Sequence, residues 1–396
     1  MNDINVKVEK NDFNFNLNDL VLIGKRANNE KRNFLFISKL LGKHLITNPD
    51  ICKAAGILLS SLKYPEINNK NVVEYIKGKN INIKNDLTQS SNNTNKVLVI
   101  GFAETATGLG MSVASSINNC TYWTTTRENL IDIKNILTFE EEHCHATTHK
   151  MFSENHFSFN DYDEIILVDD EITTGKSMLN LINAIKNISN IKTFNIMTIL
   201  DWRSQEYRNE YIKYIKENNI EINIYSIISG TATSTNTNVY KDNSIIKELT
   251  ETTPVKYLNI ITRKQFKTTN GIIDYILDSG RFGVSQANIV KLENTCAQIA
   301  TKIKTNKKTL VLGHGENIYI PSRIASYLNA DFKTTTRSPI YCDGEIIKTK
   351  YKFIDRDVTY YLYNKEDIEK EYEEIILITD TPLNIKLTKN IKIYKI

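Results

Sequence analysis

The chain has 396 residues, enough for two or three domains with substantial cores, so one domain alone would be unusual. Its 50 Lys and Arg against 46 Asp and Glu leave a net charge of +4 with the signs interspersed, which calls for neither nucleic acid nor an anionic membrane as partner. Five scattered cysteines (Cys52, Cys120, Cys144, Cys296, Cys342), no signal-peptide pattern at Met1–Asn5 and no apolar run of about eighteen residues point to a soluble, cytoplasmic protein with reduced thiols.

In chain order, the basic cluster Lys25-Arg26-Ala27-Asn28-Asn29-Glu30-Lys31-Arg32 precedes an amphipathic segment from Phe34 to His44. Within a region of residues 1–90 its basic residues complete an anion site, form a hood over a ligand, or make up a solvated charged face. The polar loop Ser90–Asn95 then leads into alternating strand and helix patterns. Strands are predicted over Lys96–Ile100, Glu164–Val168, Phe194–Leu200 and Ile222–Ile228, and helices over Gly110–Ile117, Lys176–Ile188 and Gln205–Glu217. That rhythm predicts an α/β fold, a parallel sheet with helices on both faces, whose ligands gather beyond the carboxyl ends of the strands. The Asn/Ser/Thr-rich stretch 230–243 reads as a loop or edge connection. A domain boundary is expected near residues 245–260, which gives a first domain over 1–250 and a second over 251–396.

The richest segment is Ile165 to Ser177, an apolar strand running into Asp169 and Asp170 and then the small-residue turn Thr173-Thr174-Gly175-Lys176-Ser177. Successive backbone N–H groups, hydroxyls and a helix N-terminus suit a terminal phosphate, and the two acids suit a vicinal diol, which together describe a ribose 5-phosphate. A P-loop would need glycine where Asp170 stands. The alternative is an ordinary helix cap and turn. Glu171 makes three acids in a row, so the functional pair could shift by one position.

Three further elements bear on that site. Gly101-Phe102-Ala103-Glu104-Thr105-Ala106-Thr107-Gly108 follows a strand directly, and its glycines and small residues let backbone N–H groups approach an anion such as a diphosphate, although a plain strand-to-helix turn is open; it lacks the Gly-x-Gly-x-x-Gly of dinucleotide sites. Arg127 ends the next strand and can fork onto pyrophosphate oxygens, unless it is a surface arginine. Residues 139–150 carry His143, His145 and His149 in a segment suited to a mobile lid, a solvated loop or, with Cys144, a zinc site.

The chain also echoes itself. Val97–Glu104 is matched by Thr309–Glu316, each a strand followed by Gly-x-x-Glu; Trp123-Thr124-Thr125-Thr126-Arg127 by Lys333-Thr334-Thr335-Thr336-Arg337; and Tyr162–Asp170 by Tyr372–Asp380. Thr379 lies 42 residues after Arg337, as Asp169 does after Arg127. The second copy carries Thr379 in place of the first carboxylate and Thr381-Pro382-Leu383-Asn384 in place of the cradle, so it is expected to keep the fold in shortened form without a ribose-phosphate site.

The Ile165–Ser177 segment closely resembles the phosphoribosyl-pyrophosphate (PRPP) motif of type I phosphoribosyltransferases. With Gly101–Gly108, Gly313-His314-Gly315-Glu316 and the tetrapeptide Thr336-Arg337-Ser338-Pro339, nearly the full chain resembles bacterial orotate phosphoribosyltransferase-like proteins that carry a C-terminal TRSP domain. The resemblance implies a transferase that joins the ribose 5-phosphate of PRPP to a nitrogenous base or similar nucleophile, or runs the reverse pyrophosphorolysis. It implies a nucleoside-like metabolite pathway associated with tellurium resistance and stress. The expected catalytic residues are Asp169, Asp170, Glu104, Arg127, His143 and His145. Thr173, Thr174, Gly175, Lys176, Ser177, Gly101, Phe102, Ala103 and Thr105 would bind the donor, and Mg²⁺ would sit at Asp169 and Asp170. PRPP, pyrophosphate and an unidentified base are the expected partners, with homodimer formation left open. A PRPP or nucleotide sensor without turnover, and a phosphoribosyl hydrolase or an enzyme with a protein-borne acceptor, are the rival readings.

Overall fold

A computed structural model of the chain describes residues 4–26, 32–140, 148–235, 239–241, 246–269 and 271–396. It begins with β1 (Ile4–Lys10), the short α1 (Leu17–Leu20), an antiparallel hairpin of β2 (Val21–Lys25) and β3 (Phe34–Ser38), and helices α2 (Pro49–Lys63) and α3 (Lys70–Ile76). There follow β4 (Val97–Gly101), α4 (Ala106–Ser115), β5 (Cys120–Thr124), the hairpin of β6 (Lys134–Glu140) and β7 (Thr148–Ser153), and β8 (Glu164–Ile172). Next are α5 (Lys176–Lys186), β9 (Thr193–Asp201), α6 (Gln205–Asn218) and β10 (Glu221–Ser234).

The second half contains β11 (Ile246–Glu248), β12 (Val255–Tyr257), the pair β13 (Arg263–Thr268) and β14 (Gly271–Ile276), β15 (Val284–Ser285) and α7 (Gln286–Ile303). It continues with β16 (Thr309–His314), α8 (Tyr319–Tyr327), β17 (Asp331–Thr335), the hairpin of β18 (Lys350–Asp355) and β19 (Val358–Tyr363), α9 (Lys365–Glu371), β20 (Glu374–Thr379) and β21 (Ile391–Lys395).

The first sheet has the order β1-β10-β9-β8-β4-β5-β15, parallel from β10 to β5 with an antiparallel strand at each edge. Ile165, Ile166, Leu167 and Val168 of β8 are fully buried, as a parallel strand covered on both faces requires. The chain moves one way across the sheet from β4 to β5 and the other way from β8 to β9. Right-handed crossovers therefore put α4 and α5 on opposite faces and leave a switch point between β4 and β8. The second sheet, β12-β21-β20-β16-β17, is parallel throughout. Its β21-β20-β16-β17 repeats the arrangement β9-β8-β4-β5, and the hairpin of β18 and β19 stands where that of β6 and β7 stands. No helix joins β20 to β21, which is where the second half is shortened.

Two elements run further than the sequence pattern indicates. β10 continues to Ser234, through residues that read as a loop, because β1 pairs with it from Ile4 opposite Ser234 to Lys10 opposite Ser229. β8 continues to Ile172, so the acids belong to the strand itself. The link between the halves has no single cut: β11 already pairs with β18, whereas β15 returns to pair with β5. One apolar core runs through both halves, from Val99 and Leu109 to Ile289, Val311, Ile324 and Ile376. Beside it, Arg323 on α8 holds Asp50 on α2 and Glu293 on α7, and Lys53 on α2 meets the same Glu293 at 2.7 Å. No helix among the described residues is long and apolar enough to cross a membrane.

Candidate active site at the switch point

Asp169, Asp170 and Glu171 lie near the end of β8, just before its final residue Ile172, each half-buried. The Asp170 amide donates to Asp169 Oδ1 at 2.9 Å. Glu171 is committed elsewhere: Arg32, stacked over the Phe34 ring, donates to its Oε1 at 2.6 Å. Burial pushes the Glu171 carboxyl up against the pull of that arginine. The third acid thus ties the strand end to the N-terminal hairpin.

The turn that follows depends on Gly175, whose φ of 78° is left-handed. A Cβ there would also lie 2.4 Å from the Tyr211 hydroxyl, which donates to the Gly175 carbonyl at 2.6 Å. Arg203 stacks on the Tyr211 ring at 4.3 Å and forks onto Asp201 at 2.9 and 2.8 Å, so the end of β9 supports the turn from below. The Lys176 amide donates to Thr174 Oγ1 at 3.3 Å, and α5 starts there with Ser177 in its first turn. Thr173 to Ser177 form a small-residue turn at a helix N-terminus, the geometry that holds phosphate groups.

The neighbouring loop leaves β4, whose Gly101 is in register with Val168, so it departs beside the stretch of β8 that goes on to carry Asp169 and Asp170. Gly101 is fully packed: a Cβ would meet the Ala106 carbonyl and the Tyr122 hydroxyl, each at 2.6 Å. The structure gives Phe102 and Ala103 tasks within the fold, since their side chains are buried and their amides donate to the Val168 carbonyl (3.1 Å) and to Thr125 Oγ1 (2.9 Å). Thr105, also buried at the start of α4, accepts a hydrogen bond from Lys43 through Oγ1 at 2.6 Å. Gly108 serves packing, because a Cβ would lie 2.6 Å from Ile318 Cγ2 in the second half.

Glu104 and Arg127 lie at the junction of the halves, in a reciprocal arrangement. Glu104 is buried and accepts from the Thr336 hydroxyl at 2.9 Å and from the Arg337 amide at 3.3 Å. Glu316, its counterpart, accepts from the Thr126 hydroxyl at 2.7 Å and the Arg127 amide at 3.0 Å. The Arg127 side chain reaches His149 Nε2 at 3.4 Å, as Arg337 reaches the Tyr360 hydroxyl at 3.0 and 2.8 Å. His149 is fully buried on β7 and shares a hydrogen bond with Thr125 at 2.9 Å, so it belongs to the base of the hairpin. His143 and His145, and with them the zinc alternative at Cys144, lie outside the described residues.

In the second half the corresponding switch point is filled by protein. Asp380, at the position matching Asp170, is buried and pairs with Arg281 at 3.1 Å, and Arg281 also reaches Glu316 at 3.3 Å. Thr379 hydrogen bonds with Thr381.

A family model described as phosphoribosyl transferase matches residues 20–231, more than half of the chain. The chain belongs to the phosphoribosyl transferase family. A second model, a TRSP domain found C-terminal to such transferases, matches residues 278–392. Among solved structures, the adenine phosphoribosyl transferase of Trypanosoma brucei in complex with AMP, pyrophosphate and ribose-5-phosphate is similar at 11% identity with a TM-score of 0.31, over 53% of this chain and 77% of that one. The adenine phosphoribosyltransferase of Rhodothermus marinus is similar at 10% and 0.32, over 54% and 96%. The orotate phosphoribosyltransferase of Mycobacterium tuberculosis is similar at 9% and 0.26, over 53% and 91%. No curated protein matches the chain.

As a phosphoribosyltransferase, the protein places Asp169, Asp170 and the Gly175 turn after the buried part of β8, beside the β4–β8 switch point. Sequence reasoning missed Tyr211, Arg203 and Arg281, which sit far from any motif, whereas Lys43 lies in the Phe34–His44 segment that it set beside the site without naming a residue. Nor did it find the role of Glu316, because a repeated Gly-x-x-Glu shows a duplication but not which residues of the other copy it meets. A cavity of about 770 Å³ lined by Asp50, Lys53, Glu293, Tyr319, Arg323 and Tyr327 lies elsewhere, where those charged groups already satisfy one another.

Proposed function

We propose that this phosphoribosyltransferase moves the ribose 5-phosphate of PRPP to a nitrogenous base or related nucleophile, or runs the reverse pyrophosphorolysis, in the cytoplasm and with Mg²⁺. The observation that carries the reading is the asymmetry of two matched switch points: one keeps Asp169, Asp170 and the Gly175 turn, whereas the other holds the buried Arg281–Asp380 pair and Pro382.

Transfer breaks the bond between ribose C1 and a pyrophosphate oxygen while the acceptor nitrogen forms its own, through a transition state with oxocarbenium character. Thr173 to Ser177 hold the 5-phosphate, and Asp169 and Asp170 hold the ribose hydroxyls, which fixes C1 relative to the β4 loop. Thr105, the start of α4, Lys43 and Arg127 supply donors and positive charge for the departing pyrophosphate. Two adjacent carboxylates are a donor set that suits Mg²⁺, which takes oxygen ligands and completes its shell with substrate oxygens. When bound, the ion would neutralise charge on the leaving group. His143 and His145 are proposed to act from the segment between β6 and β7, on pyrophosphate or on the acceptor's proton.

The test is exchange of labelled pyrophosphate into PRPP, with Mg²⁺ and a panel of purines, pyrimidines and other nitrogen heterocycles. Exchange that depends on one class of base is the expected result and names the acceptor. PRPP binding without exchange for any base would replace transfer with sensing.

A further inference from the structure

We infer that the second half is a positioning device for the pyrophosphate side of the first half's site, acting through the reciprocal glutamate contacts. The inference rests on the PRPP reading above and adds a task for the Thr336-Arg337 segment. Glu104 stands inside the β4 loop, one residue before Thr105. Both of its oxygens are held from across the junction, by the Thr336 hydroxyl and the Arg337 amide. A buried carboxylate with two donors is fixed in place, because losing either leaves charge uncompensated in a low-dielectric setting.

Arg127 is fixed by the mirror contact. Glu316 takes its amide and the neighbouring Thr126 hydroxyl, and the Glu316 carbonyl accepts from the Thr107 hydroxyl on α4 at 2.9 Å. Arg281 and Asp380 brace Glu316 from behind. Burial opposes the Glu316 charge, yet Arg281 and Arg337 hold its carboxyl below the usual range. The acid that matches Asp170 has thus become a brace for the working site. Arg337 adds a further tie, donating to Glu128 Oε1 at 2.6 Å just beyond Arg127.

These contacts all converge on the loop after β4 and the segment after β5. The turn at Gly175 is instead supported by Tyr211 and Arg203 of the first half. The two parts of the donor site therefore rest on different supports, and a change at the junction should separate them. Thr336, Arg337 and Glu316 are positioning residues, acting through Glu104 and Arg127.

Thr336→Val keeps the side-chain shape and removes the hydroxyl donor, and Thr336→Ser restores it. With the full chain and Mg²⁺, calorimetric binding of pyrophosphate and of ribose 5-phosphate is measured separately, beside the melting temperature. Thr336→Val is expected to weaken pyrophosphate about tenfold and leave ribose 5-phosphate unchanged, with Thr336→Ser close to wild type. Equal affinity for pyrophosphate in wild type and Thr336→Val, or equal losses for both ligands, would overturn the inference. Should Thr336→Val not fold, Thr126→Val removes the mirror donor and faces the same two criteria. Failure of the wild-type protein to bind either ligand would instead sink the PRPP reading on which the inference rests.

Discussion

At the scale of single residues, the phosphate turn is the most sharply determined part of the site. Gly175 is required twice over, by its left-handed backbone and by the Tyr211 hydroxyl that occupies the space a Cβ would take. A left-handed alanine costs about 1–2 kcal/mol, and the displaced tyrosine adds to it. Gly175→Ala is therefore expected to weaken ribose 5-phosphate by about tenfold or more, read by calorimetric titration; undiminished affinity would remove the turn from the phosphate site. Glu171 shows why adjacency in sequence does not settle a role. Three acids follow Val168, yet Glu171 is drawn to Arg32 of a hairpin more than a hundred residues earlier. The run of acids was plain in the sequence, but the pairing that takes one of them away depends on tertiary contact.

At the scale of elements, the central strands and helices were legible because each is a long apolar run or a strong amphipathic repeat: α6 was expected over Gln205–Glu217 and spans Gln205–Asn218. The edges were not. β1 and β15 are polar or very short and exist because a neighbouring strand offers them a ladder, so their own residues carry little signal. Helices α2, α7 and α8 illustrate a second kind of hidden element, an ion network that joins the halves. Glu293 lies at its centre, and Arg323 and Lys53 outweigh the effect of burial to hold its carboxyl down at about 2. Because that value lies below the ordinary 4.5, the unfolded chain binds the proton first as pH falls. The stabilisation is present above about pH 4.5 and is lost toward pH 2. The melting temperature of wild type should fall across that window more steeply than that of Glu293→Gln, and parallel profiles would show that the network carries no pH-dependent stability.

At the scale of the whole molecule, two sheets with a shared strand order meet through one apolar core and a reciprocal exchange of glutamates. The duplication was legible from three ordered blocks of sequence, whereas the way the copies face each other was not, since no local pattern encodes a contact between Glu104 and Thr336. A core that runs through both halves should make unfolding cooperative, so scanning calorimetry is expected to give a single transition; two well-separated transitions would show halves that fold independently. The division of labour between the halves leads to the decisive measurement, equilibrium binding of PRPP in the presence of Mg²⁺ to wild type, to Asp169→Asn with Asp170→Asn, and to Thr379→Ala. Binding by wild type and Thr379→Ala, with none by the double variant, is the expected result. No binding by wild type, or equal losses in both variants, would contradict a single ribose-phosphate site at the end of β8.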